Sequence, residues 1–201
     1  MHGSPDATRS NVVLATVSLS GSHHRLDFLI GPGRALDPAR WCVLCVDPIG
    51  NGMTTSPSNS QRQPGAAFPR FVLRDMVESQ RYLLDSLRID RLAAVVGASM
   101  GGMQALQWGV SHPDRVGVIV AMTPMAKTAP WAVAIVEAAR LAPPLDLFDP
   151  AHEADAIAAA IPGSRRVVIP SVQGYQAAGT ASPDDGVFLN AEIGAFLGAT
   201  A

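Results

Sequence analysis

Short apolar runs alternate along this chain with longer stretches in which apolar positions recur every three or four residues. Asn11-Val-Val-Leu-Ala-Thr-Val17 is rich in β-branched residues and is followed by the small-residue stretch Ser18-Leu-Ser-Gly-Ser-His-His24, which predicts a strand and then a loop. Trp41 to Val46 predicts a second strand, stopped at Asp47-Pro48 because proline cannot donate to a ladder. Ile49 to Pro69 is a long loop crowded with Gly, Ser, Asn and Pro. Between Phe71 and Leu87, apolar Val72, Met76, Val77, Tyr82, Leu83 and Leu84 are interleaved with charges, the pattern of an amphipathic helix. Leu92 to Val96 reads as a third strand and Gly102 to Val110 as a helix halted by Pro113. Val116-Gly-Val-Ile-Val-Ala121 reads as a fourth strand, apolar throughout as a strand covered on both faces should be. Beyond it the pattern predicts helices over Pro130–Leu141 and Pro150–Ile161, a last short strand at Arg166–Pro170 and a closing helix over Asp185–Leu197.

Strands alternating with helices in this order imply an α/β fold: a mostly parallel sheet with right-handed crossovers, flanked by helices. No internal repeat or clear linker interrupts the pattern, so residues 1–10 read as a flexible tail and 11–201 as one domain. The uncharged stretch from Leu92 to His112 has the length of a membrane span. It contains four glycines, two glutamines and two serines, and reads better as strand, turn and helix.

Composition narrows the function classes. With 48% hydrophobic and 16% charged residues in 201, the chain is apolar enough for a core and too poor in charge for disorder. A net charge of −2 supplies no basic field for a phosphate backbone, which argues against nucleic-acid binding. Met1 to Asn11 is polar and lacks the apolar core of a signal peptide. The two cysteines, Cys42 and Cys45, form a C-x-x-C inside a strand, where positions i and i+3 face opposite ways. That spacing disfavours a shared metal or a disulfide and predicts two structural thiols. A reducing, cytoplasmic setting fits, with no membrane partner, no metal and no bound cofactor.

The segment that carries chemistry is Gly97-Ala98-Ser99-Met100-Gly101, a G-x-S-x-G placed where a buried strand gives way to a helix. A serine on so sharp a turn requires small residues two before and two after it, where the backbones cross; Gly97 and Gly101 meet that need, and Ala98 and Gly102 add clearance. The turn would lift the Ser99 hydroxyl above the sheet's C-terminal edge. The following helix would aim its N-terminal N–H groups at the same point, making the Met100 amide a donor to a developing oxyanion. The Leu19 amide, in the loop after the first strand, is the candidate second donor. A glycine-rich turn that merely packs tightly, and an ordinary serine-rich loop, are the plainer readings of the same strings.

Ile30-Gly-Pro-Gly-Arg-Ala-Leu-Asp-Pro-Ala-Arg-Trp41, Arg74-Asp-Met-Val77 and Gly97-Ala-Ser-Met-Gly-Gly-Met-Gln-Ala-Leu-Gln-Trp108 resemble the homoserine O-acetyltransferase family of α/β-hydrolases. Gly50-Asn-Gly-Met-Thr-Thr-Ser-Pro-Ser-Asn59 is closer to a hydrolase-like branch of that family. The resemblance runs from about Val12 to Arg140 and resumes near Leu145. It implies an α/β-hydrolase-like fold, here reduced: the N-terminal antiparallel strands and the helical lid are missing, and Arg140-Leu-Ala-Pro-Pro-Leu145 joins the flanking parts directly.

The resemblance also implies a triad in the order Ser, Asp, His. Ser99 takes the first role. Asp146, in Asp146-Leu-Phe-Asp-Pro150, matches the acid, although a loop carboxylate or helix cap would look the same. At the family's histidine position, the end of Ile169-Pro-Ser-Val-Gln-Gly-Tyr175, this chain has Tyr175. A phenol titrating near pH 10 is a poor general base at neutral pH. His23 and His24 in the presumed oxyanion loop, and His152 after Asp146, are the possible substitute bases; His112 falls at the wrong end of its helix and reads as a surface residue. Gln176 replaces an acidic residue the family uses toward homoserine, so homoserine is not assigned. The expected function is acyl transfer through an acyl-enzyme on Ser99, as ester hydrolase or O-acyltransferase, on a small-molecule ester or acyl donor. Acetyl-CoA is a possible cosubstrate by the same resemblance. The alternative is a catalytically impaired family member acting as a binding scaffold.

Overall fold

The computed structural model describes residues 1–19, 21–125, 157–171 and 182–200. Four strands form one parallel sheet: β1 (Val12–Thr16), β2 (Cys42–Val46), β3 (Leu92–Ala98) and β4 (Val116–Met122), in the order β2-β1-β3-β4. Among the described residues it is flanked by the helices α1 (Leu73–Ser86), α2 (Met100–Ser111) and α3 (Pro183–Ala199).

The alternation of side chains along each strand builds two cores. Val12 and Leu14 of β1, Cys42 and Leu44 of β2 and Val95 of β3 pack with Val77 and Leu84 of α1 and with Ala105 and Trp108 of α2. On the other side, Val13, Ala15, Val43, Ala94 and Val96 pack against Leu26, Leu29 and Leu36 and against Leu189, Ile193 and Leu197 of α3. Each fully buried Leu or Val stabilises the fold by roughly 1.5–3 kcal/mol relative to exposure. Asn190 clamps α3 to the loop: its Nδ2 donates to the Phe28 carbonyl at 3.0 Å, and its Oδ1 accepts from the Ala35 N–H at 3.0 Å. Cys42 and Cys45 lie on opposite faces, as their spacing required, and both thiols are free. Burial, above all, pushes the Cys45 thiol up to about 11.

Within residues 1–10, read as a flexible tail, His2 exchanges both backbone hydrogen bonds with Val43 of β2 at 2.9 and 2.8 Å. Arg9 donates to the carbonyls of Leu87 and Arg88. Arg166–Pro170, expected as a last strand, is not one. Residues 164–170 adopt no regular structure, Val168 is 64% exposed, and only Ile169 packs on the core. Among the described residues no strand pairs with the outer edge of β4, and Arg166–Pro170 does not add to it. The expected helix 130–141 lies outside the described residues, as does 150–161 apart from residues 157–161, of which 157–160 are helical.

The buried face of α1 also differs from the apolar pattern. Val72 and Tyr82 are exposed, whereas Gln80 is buried with Met76, Val77 and Leu84. A glutamine tolerates that position because its amide oxygen and nitrogen are both hydrogen-bonded there, as described below. No helix among the described residues is long and apolar enough to cross a membrane.

Candidate active site

In a parallel sheet every strand ends at the same edge, and here the chain leaves β1 to form β2 on one side, then returns to form β3 on the other. The crevice between β1 and β3 is therefore the topological switch point where open α/β sheets bind ligands. Leu19 follows β1 and Ser99 follows β3, so two residues singled out from sequence flank that crevice.

Ser99 occupies the turn between β3 and α2 with φ +56° and ψ −126°, a conformation that costs a non-glycine residue roughly 1–3 kcal/mol. Its N–H is held by the Met122 carbonyl at 2.9 Å, and its carbonyl accepts from the Met103 N–H at 3.0 Å. The flanking glycines are required by space. A Cβ on Gly97 would overlap the Thr16 hydroxyl and the Gly101 carbonyl, and one on Gly101 would come within 2.5 Å of the Thr16 carbonyl oxygen. Ser99 is half-buried, and among the described residues no side chain hydrogen-bonds its hydroxyl. Met100 opens α2, so its N–H has no intrahelical acceptor. The turn thus has the form of a nucleophile elbow.

Three side chains that the sequence reading passed over fasten the β1 loop to this elbow. Thr16 Oγ1 donates to the Gly101 carbonyl at 2.8 Å and Ser18 Oγ to the Ala98 carbonyl at 2.8 Å. Gln104 Nε2 donates to the Val17 carbonyl at 3.0 Å. Their sequence signal was weak: a threonine and a serine at a strand end, and a glutamine facing inward on a helix. Thr123, one residue past β4, has φ +44° and a buried hydroxyl without a hydrogen-bond partner among the described residues, a second strained position at this edge.

The possible bases separate. His23 Nδ1 contacts Asp47 Oδ2 at 2.7 Å, and Asn51 Nδ2 donates to Asp47 Oδ1 at 2.9 Å. A carboxylate on Nδ1 orients an imidazole as a triad base is oriented. Asp47, however, follows β2, two strands from β3, which puts this anchor about 10 Å from the Ser99 end of the sheet. His24 Nδ1 contacts Asp27 Oδ2 at 2.8 Å, and both side chains are exposed. The structure brings neither imidazole onto Ser99. His112 sits at the opposite end of α2, as expected, but is not a loose surface residue: its Nε2 meets Glu78 Oε1 at 2.7 Å and its ring lies on Trp108. Asp146, His152 and Tyr175 lie outside the described residues. Among the described residues no cluster of three or more His, Cys, Asp or Glu is placed to hold a metal.

Comparison with known proteins agrees with this geometry. Residues 26–147 match the family model described as alpha/beta hydrolase fold. The homoserine O-acetyltransferase of Trichlorobacter lovleyi is 37% identical over 160 residues, covering 71% of this chain and 44% of that protein. The homoserine O-succinyltransferase of Alkalilimnicola ehrlichii is 38% identical over 159 residues, covering 70% of this chain and 41% of that protein. The crystal structure of the acetyl esterase MekB superposes with a TM-score of 0.64 at 35% identity, covering 68% of this chain and 41% of that one. The chain thus spans less than half the length of these relatives. With the switch-point crevice, the strained serine turn and these matches together, the chain belongs to the alpha/beta hydrolase fold family, in the part that holds the homoserine O-acyltransferases and related esterases.

Proposed function

We propose that Ser99 is the nucleophile of an acyl-transfer site. The observation that carries this reading is the Ser99 backbone at φ +56° between β3 and α2, with its hydroxyl unpartnered among the described residues. In the proposed reaction the Ser99 oxygen attacks the carbonyl carbon of an ester or thioester while its proton passes to a base. The N–H groups of Met100 and Leu19 hold the oxyanion as the tetrahedral intermediate forms. The alkoxide or thiolate leaves with the proton, and the acyl group, now on Ser99, passes to water or to an alcohol.

The acyl donor is a small acyl ester or an acyl thioester such as acetyl-CoA. The relatives are named for acetyl transfer, succinyl transfer and acetyl-ester cleavage, and what those names share is acyl chemistry rather than one substrate. Asp146 is the proposed acid. The base is drawn from His23, His24 and His152, with Tyr175 at the position the fold ordinarily gives to histidine. His23 has the carboxylate partner a base needs, although among the described residues no hydrogen bond joins it to Ser99. The two thiols fit a cytoplasmic setting for the whole. The scaffold alternative is less favoured, since the relatives carry enzyme names.

Hydrolysis of p-nitrophenyl acetate tests the reading. Saturable release of p-nitrophenol should fall at least about a thousandfold in Ser99→Ala. Equal turnover by the two proteins would overturn it. Single replacement of His23, His24 and His152 by Ala identifies the base as the one whose loss matches Ser99→Ala, and Tyr175→His should raise turnover if the rest of the triad stands.

A further inference from the structure

A line of three buried polar side chains crosses the otherwise apolar interface between α1, α2 and the sheet. Trp108 Nε1 donates to Gln80 Oε1 at 2.8 Å, and Gln80 Nε2 donates to Gln104 Oε1 at 2.7 Å. Gln104 Nε2 then donates to the Val17 carbonyl at 3.0 Å and reaches the Met100 carbonyl at 3.4 Å. All three side chains are at most 1% exposed. Every link donates in the same direction, so each bond polarises the next, and the line ends on the backbone that leads into the site.

Packing alone does not ask for this arrangement. Leucine or methionine would fill the same volume without the desolvation cost of two primary amides, and buried polar groups of this kind are useful mainly for the single geometry they impose. The geometry imposed here concerns the oxyanion donors. Val17 lies two residues before Leu19, and Met100 is the other donor residue, so one amide nitrogen spans the two segments that must face the same oxygen. Thr16 and Ser18 bond the same loop to Gly101 and Ala98, but through carbonyls on the elbow. Gln104 is the member that reaches both donor segments from behind.

We infer that Gln104 is a positioning residue for the oxyanion hole, setting the spacing of the Leu19 and Met100 N–H groups, and that Gln80 and Trp108 hold it in place. The inference rests on the reading of Ser99 as nucleophile. Donors fixed before reaction stabilise the transition state without tightening ground-state binding, so their loss lowers kcat and leaves KM nearly unchanged.

The experiment measures kcat and KM for p-nitrophenyl acetate, with thermal midpoints, in the full chain and three variants. Gln104→Met keeps the volume and loses the bonds; it should lower kcat about 10- to 100-fold with KM within about twofold. Trp108→Phe keeps a ring and loses the first donor in the line; it should lower kcat by about 3- to 10-fold. Gln104→Glu accepts from Gln80 but donates to Val17 only when protonated, so its kcat relative to the unmutated protein should rise as pH falls. A folded Gln104→Met with kcat within twofold of the unmutated protein would overturn the inference. If Gln104→Met does not fold, unchanged kcat in Trp108→Phe overturns it, and the graded loss supports it. Absence of Ser99-dependent turnover in the unmutated protein would instead overturn the reading beneath it, and the inference with it.

Discussion

The two ends of α2 follow opposite rules. At its N-terminal end the backbone is strained at Ser99, glycines are forced by overlap at 97 and 101, and the hydroxyls of Ser99 and Thr123 have no hydrogen-bond partner among the described residues. At its C-terminal end polar groups are engaged in a continuous network. His112 Nε2 meets Glu78 at 2.7 Å, Glu78 meets Arg81 at 2.8 Å, Arg81 meets Asp85 at 2.6 Å, and Asp85 meets Arg115 at 2.7 Å. Trp108, wholly buried, packs between that network and the core. One end of the helix holds strain and open hydrogen-bonding capacity, and the other supplies the packing that keeps the helix in place. Both histidine-bearing edges contain an imidazole on a carboxylate, so the pairing by itself does not mark a site; strain and an unpartnered hydroxyl do.

Substitutions should separate the ends by size and by sign. The largest effect is expected at the supporting end: Trp108→Ala should lower unfolding free energy by about 3–5 kcal/mol, measured by denaturant titration. A loss under 1 kcal/mol would mean that α2 does not depend on this anchor. At the strained end, Ser99→Gly should remove ester turnover yet raise stability by about 1 kcal/mol, because glycine adopts φ +56° freely. A destabilised Ser99→Gly would contradict the claim of strain.

Acid should act on the supporting end first. Glu78 is held below its ordinary range chiefly by the Arg81 hydrogen bond, with help from His112, and Asp85 chiefly by Arg115. A carboxyl with a depressed folded pKa contributes stability that is complete above its ordinary value near 4 and is lost as pH falls through the folded value. Thermal midpoints of Glu78→Gln and the unmutated protein should therefore converge between about pH 5 and pH 3. A constant offset across that range would remove Glu78 from the account. The smallest expected effect is chemical: the Cys45 thiol, raised to about 11 by burial, should alkylate with iodoacetamide at pH 8 far more slowly than a free thiol. Rapid labelling by mass spectrometry would show that β2 is open.

Much of this was legible in the chain. β-branched runs located all four strands of the observed sheet, and the elbow was readable because G-x-S-x-G fell between a strand pattern and a helix pattern. The closing helix was read over Asp185–Leu197 and runs Pro183–Ala199; its start is set by Ser182 and Asp185, which cap each other's N–H groups at 3.3 and 3.2 Å. What was not legible depends on partners distant in sequence. Gln80 and Gln104 are 24 residues apart and look like solvent-facing positions until Gln80 Nε2 is seen to donate to Gln104 Oε1 beside Trp108. His23 and Asp47 likewise meet only because β1 and β2 are neighbours. Arg166–Pro170 had the composition of a strand, but pairing requires a neighbouring edge, which local pattern cannot supply.

Fluorophosphonate labelling between pH 6 and 9, with the modified residue located by peptide mass spectrometry, addresses the nucleophile without presuming a substrate. One adduct on Ser99, absent from Ser99→Ala while other serines stay unmodified, is the expected result. No adduct at any pH in that range, or an adduct on a different serine, would contradict the account.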